Sequence, residues 1–536
     1  MRRPRARSSP STSSAGWSTR WPAARCSADE SAAAAAARGQ VCMQPHTIAL
    51  KDPRSATTRP RPEGGNRMSS TAAQTERGAR TEYGVAALGL GVTRALGGFI
   101  AGLRFEDLPP AVVHEARRGV LDWIGCALAA SRHPTIRILL DTFEATGSPA
   151  VATVLGQGGQ GGKRLGLLDA PVANGQMGHL LDFDDTHMGG VVLHTSSPLL
   201  AALLALAEHR PVSGRDLVTA YVAGFEAGVR AGQGAPAHHD GGWHLTGTLG
   251  AIAAGAGSAR LLGLDATQVT HAIGIATTQA AGMQQNRGTM CKSFHAGKAA
   301  ASGALAALLA ARGFNSSDEI LEGKRGFIRI YSTSSAPERI TDGLGERFEI
   351  ARNGYKPYAC GIVLHPLIDA MIALHDSAGI PAAQVARVEL QVHPHAVKIT
   401  GVDDPKSGLM SKFSINHSAS VAYLDGTAGI AQYSDARAGA ADVLAFRPKI
   451  EVRTVETFRK DQAHATLVAT DGRRFESPVA HASGTVDNSM SDAALERKFL
   501  GNATEALGED RARAVAARVW TLDEAADIRD LLALCA

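Results

Sequence analysis

The sequence predicts a mainly α protein, a large all-helical domain with a smaller α+β domain inserted into it. Three observations lead there. Apolar residues recur at helical spacing from about Tyr83 to Tyr331. After about Arg352 the period changes, and short strand patterns alternate with helical ones. A helix signal returns at Ser491, so the chain leaves the helical domain, builds the second one and comes back. The expected boundaries are 81–350 for the first helical part, 351–485 for the α+β domain and 486–536 for the returning segment.

Residues 1–80 stand apart. They are rich in Arg, Ser, Pro and Ala, poor in acids and without period, so they cannot bury enough apolar surface to offset ordering. Such a stretch suits an organellar transit peptide. A start at Met68, with residues 1–67 untranslated, is the preferred reading; it gives a cytoplasmic protein, whereas a genuine transit peptide gives an organellar-matrix one.

Within the fold, Ser213-Gly-Arg-Asp216 is a capping-box variant with Asp in place of Glu. It opens a helix carrying Leu217, Tyr221, Phe225 and Val229 at intervals of four. Asp265 caps a second, through Val269, Ile273 and Ala276. Ala299 to Ala311 is a third, so rich in small and aliphatic residues that it is expected to be buried on most faces. Farther on, Val388, Leu390 and Val392 alternate with polar residues as in a half-buried strand, and Asp471-Gly472 marks a hairpin. Pro366–Leu374 and Ser414–Tyr423 read as helices, and Ser491 caps the returning one through Leu495 and Phe499.

Composition excludes several classes. A hydrophobic fraction of 44% and a charged fraction of 20% are those of a soluble globular protein. The formal charge of +4 is slight for 536 residues and argues against nucleic acid as a partner. The longest apolar runs, such as Leu199 to Ala207, are too short for a membrane span. The six cysteines form no CxxC pair, which suggests reduced thiols and no zinc ribbon. Gly156 to Gly161 matches GxGxxG, but Lys163 to Pro171 leaves little room for the helix a dinucleotide site needs, so a hairpin loop is expected.

Four polar segments could carry chemistry. The first holds His179, Asp182, Asp184, Asp185 and His187, with His194 shortly after. On a helix Asp182, Asp185 and Thr186 would share a face. The cluster suits a divalent metal held by His179, Asp182 and Asp185, or metal-free proton transfer, or simple helix capping. An Asp-Asp-x-x-Asp magnesium motif fails, because its last position is Met188. The second segment, His238 to His244, precedes an Ala/Gly-rich helix and suits an anion at a helix N-terminus. In the third, after Arg287, Lys292, His295 and Lys298 lie three residues apart, so one helical face is expected to present them. The fourth is Tyr355-Lys-Pro-Tyr-Ala-Cys360 at the domain junction, where Lys356, held extended before Pro357, could reach across a cleft.

Together these segments resemble the MmgE/PrpD family, which includes 2-methylcitrate dehydratases and cis-aconitate decarboxylases. The resemblance runs from about Tyr83 to the C-terminus and rests on five ordered motifs: the acidic segment ending at His187, Trp243 to Thr248, Gly288 to Gly297, Ile320 to Phe327, and Lys356-Pro-Tyr358. It implies that the α+β domain is a lid, that the protein is a homodimer, and that it uses no cofactor and no metal. The resemblance carries over Asp182, His194, His244 and Lys292 as catalytic and Thr186 and Lys356 as substrate-binding; His295, Arg287 and His417 are expected to join them in binding substrate. Four positions depart from the family pattern: Thr195 follows His194 where Pro is frequent, Gly361 replaces a histidine of the decarboxylase branch, His417 replaces a tyrosine, and Arg287 is an added cation.

The expected activity is that of a metal-independent lyase, a dehydratase or decarboxylase, acting on a small di- or tricarboxylate. Lysines and histidines bind the carboxylates, and an Asp/His pair moves the proton. An isomerase or epimerase on the same scaffold, a metal-dependent hydrolase on His179, Asp182 and Asp185, and a silent binding protein are the rivals.

Overall fold

The computed structural model describes residues 91–158 and 162–536. The expectations for residues 1–80 lie outside them. Helices α1 (Val92–Gly102), α2 (Pro110–Ala130), α3 (Pro134–Ala145), α4 (Asp169–Leu180), α5 (Ser196–His209), α6 (Gly214–Gly234), α7 (Leu245–Leu261), α8 (Ala266–Thr277) and α9 (Met290–Ala310) form the helical body. The caps expected for two of them are present. Ser213 accepts from the Asp216 amide, and Asp265 and Gln268 form a reciprocal capping box.

Small residues decide how these helices meet. α7 lies against α5, α6, α8 and α9, and it is buried at every position except Arg260. Its Ala, Gly and Thr residues leave no bulky ridge, so four neighbours approach it closely. α4 and α9 cross where Gly175 meets Gly297, and a methyl group at Gly297 would collide with the Val172 carbonyl. That crossing brings the first turns of α9 beside the end of α4.

Short strands tie distant segments together. β1 (Ala152–Thr153) and β2 (Arg164–Leu165) pair antiparallel around the GxGxxG segment, giving the hairpin expected there; residues 159–161 lie outside the described residues. β3 (Thr186–His187) pairs with β4 (Asn353–Gly354), Thr186 opposite Gly354. A four-stranded sheet then follows in the order β6-β5-β7-β8, from β5 (Val385–Val392), β6 (Ile450–Thr454), β7 (Ala463–Ala469) and β8 (Arg474–Val479). β5 runs parallel to β6 and antiparallel to β7, and Gly472 at φ 87° makes the β7–β8 turn. α10 (His365–Ala378) covers β7 and β8, and α11 (Ile415–Asp425) packs on α10. The chain then returns through α12 (Asp492–Leu507), capped by Ser491 and packed on α2, and α13 (Glu509–Trp520). The described residues are thus mainly helical, with a small four-stranded sheet and two two-stranded ladders. Among the described residues no helix is long and apolar enough to cross a membrane.

Candidate active site

The acidic segment is not the helical face its spacing suggested. α4 ends at Leu180, and Asp182 takes a positive φ of 51°, a left-handed conformation that Asp tolerates better than most residues. The next residues bend out of the helix into β3, and Asp182, Asp184 and Asp185 take different partners. Backbone strain of this kind is held where surrounding contacts fix it. Here those contacts are ionic.

Asp182 is gripped by two lysines. Lys356 Nζ lies 2.6 Å from Oδ1 and Lys292 Nζ 3.2 Å from Oδ2. The β3–β4 ladder explains the first, because it sets Lys356, two residues beyond Gly354, next to the segment that precedes Thr186. The α4–α9 crossing explains the second. Lys356 also donates to the Asp182 and Cys360 carbonyls, both at 3.1 Å, so its three N–H groups are all engaged within the protein. It therefore clamps the carboxylate and does not extend into open space. Burial works to raise the Asp182 carboxyl, but Lys292, Lys356 and His194 together hold it well below the usual carboxylate range.

Asp184 organises the histidines. Its carboxylate lies 3.0 Å from His179 Nδ1 and 3.3 Å from His194 Nδ1, and it accepts from Ser197 Oγ at 2.7 Å. Burial tends to raise its pKa, yet the two rings hold it well below the ordinary value. A carboxylate beside each Nδ1 favours the hydrogen on that atom and leaves Nε2 to act. His194 Nε2 is 4.0 Å from Asp182 Oδ1, and Thr186 Oγ1 sits 3.3 Å behind its Nδ1. Thr186 thus braces the histidine. His179 meets His194 in a tilted contact at a centroid distance of 4.5 Å and stacks on His244 at 5.4 Å. Burial lowers His179 to about 4 and pushes His244 well below its usual range. His244 and His295 meet Nδ1 to Nδ1 at 2.9 Å, and His295 is lowered by burial to about 4, so the pair shares one hydrogen between two neutral rings.

Several expected residues are placed elsewhere. Lys298 is exposed while Lys292 and His295 are buried, because six residues of α9 turn it away from the site. Asp185 turns from His179 and Asp182 to accept from Ser196 Oγ and Asn353 Nδ2, both at 2.6 Å, and burial raises its pKa well above the usual value. His417 receives the Arg447 guanidinium on Nδ1 at 2.9 Å and meets the Gln432 carbonyl through Nε2 at 2.8 Å. Arg287 is half-buried, 3.5 Å from His239 Nε2, and feels the Asp182 charge. His238 is held structurally by the Tyr331 carbonyl and Thr248 Oγ1.

A small crevice opens onto this cluster, lined by Leu180, Asp182, Thr289, Lys292, Lys412 and Phe413 among others. Lys412 was not singled out in the sequence, since no spacing links it to Asp182. The structure alone brings them together.

Residues 94–340 match the model of the MmgE/PrpD N-terminal domain and residues 358–523 that of the C-terminal domain. The chain belongs to the MmgE/PrpD family. The expected family and its lyase class are borne out. The chain is 26% identical to a cis-aconitate decarboxylase of Aspergillus terreus over 83% of its own length and 96% of that protein. It is 27% identical to a cis-aconitate decarboxylase-like protein of Aspergillus oryzae, covering 83% and 97%. The human cis-aconitate decarboxylase is 25% identical, covering 83% and 94%.

Proposed function

We propose that this MmgE/PrpD protein removes carbon dioxide or water from a small tricarboxylate, with cis-aconitate the first candidate, and that it does so without a metal. The observation that carries the reading is the Asp182 carboxylate held between Lys292 and Lys356, with His194 Nε2 4.0 Å away. Lys292 has donors left for a substrate carboxylate and offsets the negative charge that develops as a bond to carbon breaks. His194, oriented by Asp184 and Thr186, moves the proton, and Asp182 stabilises the imidazolium that forms.

His179, Asp184 and His194 present ligand atoms within 4.8 Å of one another, the spacing a cation could use. Their surroundings argue against one. Asp184 is already satisfied by Ser197 and both rings, and the ammonium of Lys292 lowers the His179 pKa, so a dication would meet positive charge. Crevice size supports reading the α+β part as a lid. Its free volume of about 10 Å³ holds roughly one water, so the Leu409–Phe413 side must move for a six-carbon acid to enter.

The test is to incubate the purified protein with cis-aconitate, methylcitrate and iminodisuccinate in deuterated water and follow products by NMR. Lys292→Ala is expected to lower turnover by about 100-fold or more while leaving the circular dichroism unchanged. Full activity in that variant removes the assignment, and stoichiometric zinc or iron in the active preparation removes the metal-free part.

A further inference from the structure

We infer that Lys412 is the cation that receives the third carboxylate of the substrate, and so selects a tricarboxylate over a dicarboxylate. This rests on the crevice being a polycarboxylate site, and it adds a residue and a selectivity to that reading. Lys412 is 3% exposed and lines the same crevice as Lys292. Its ammonium has three donors, of which one reaches a protein acceptor, the Ala359 carbonyl at 2.7 Å. A Tyr433 ring lies 5.0 Å away, and no ion pair to Lys412 exists among the described residues. The nearby carboxylate, Asp182, is already held by Lys292 and Lys356.

A buried ammonium without a carboxylate partner is costly, and proteins retain one chiefly where an anion joins it. Burial lowers the Lys412 pKa to about 8, which leaves it mostly charged at neutral pH. The position of Lys412 settles what that anion does. Lys356 is fully engaged within the protein, so Lys292 and Lys412, which line one crevice, are the lysines there with donors left over. The carboxylate next to the reacting carbon meets Lys292 beside His194, and a further carboxylate of the acid meets Lys412. An acid without that further carboxylate leaves the Lys412 ammonium without a partner.

Calorimetric titration at pH 7 with propane-1,2,3-tricarboxylate and with glutarate tests this on the full-length protein. The wild type is expected to prefer the tricarboxylate. Lys412→Met should weaken tricarboxylate binding by about 30-fold or more while changing glutarate by less than about threefold. Lys412→Arg should keep most of the preference. Lys412→Gln serves as a second neutral variant if the Met variant does not fold. Unchanged tricarboxylate affinity in a folded neutral variant overturns the inference, as does an equal loss for both acids. A wild type that turns over cis-aconitate while a neutral variant keeps its preference overturns Lys412 alone; a wild type that binds neither acid overturns the lyase reading with it.

Discussion

Asp182 gathers the ion pairs of the candidate site on one side chain and one unusual backbone angle. Its φ of 51° aims the carboxylate between two buried ammonium groups, and a β-branched residue could not take that conformation without strain. Asp182→Asn keeps the backbone preference and removes the charge. It is expected to cost about 3–5 kcal/mol in urea unfolding, because both lysines lose their counter-ion, and to lower turnover by about 100-fold. Activity retained at wild-type level would separate Asp182 from the reaction. Lys412 poses the opposite case, a cation that burdens the ligand-free fold. Facing Asp182, Cys360, Lys356 and Lys292, it is lowered by burial from 10.5 to about 8. The folded state therefore binds this proton less well than the unfolded state. The resulting loss of stability is fully present below about pH 8 and disappears as pH rises towards 10.5. Lys412→Met should thus stabilise the ligand-free protein by up to about 3 kcal/mol at pH 7, with the gap closing at alkaline pH. Urea titrations of the two proteins at pH 7 and 10 measure that gap, and a gap that widens with pH would refute the sign.

At the scale of elements, the site depends on one helix crossing and one short strand ladder, which place its two lysines beside Asp182. The α4–α9 crossing at Gly175 and Gly297 is closer than any side chain allows, and it fixes Lys292 relative to Asp182. Gly297→Ala would push α9 outward from the Val172 carbonyl. The expected outcome is a loss of about 1–3 kcal/mol with a folded protein, and a fall in kcat of about 10- to 100-fold from misplaced Lys292. Wild-type kcat in this variant would show that the crossing does not govern the site. The two-residue β3–β4 ladder does the same for Lys356. No sequence pattern announces it, because strands this short carry no period to read. The longer elements were legible for the opposite reason. Ser213, Asp265 and Ser491 each satisfy amides at the start of a helix whose apolar spacing is unambiguous, and Asp471-Gly472 supplies the positive φ of a tight turn.

Across the whole molecule, the returning segment braces the site from behind. Lys498 on α12 lies 2.6 Å from Asp122 of α2 and donates to the Phe183 carbonyl at 2.7 Å, in the middle of the acidic segment. Its side chain is 6% exposed and that of Asp122 fully buried. Lys498→Met leaves Asp122 without its partner and is expected to cost about 3–5 kcal/mol, with turnover falling as the Asp182–Asp184 segment loosens. Denaturation midpoints and kcat, measured together, check this; a variant with native stability would exclude the brace.

What the sequence by itself determined was the mainly helical class, the helices with clear caps and apolar period, the strand around Val388 and the hairpin at Asp471-Gly472, and the family with its lyase class. Apolar period, cap chemistry and ordered motifs are local properties, and local physics writes them into the chain. The tertiary structure decided how the site residues are used. It turned Asp185 and Lys298 away, engaged Lys356 in holding Asp182, made Asp184 the support of two histidines and brought Lys412 into the crevice. Each of these rests on contacts between segments far apart in the chain, where burial and ion pairing, which no spacing encodes, set both the direction of a side chain and the charge it carries.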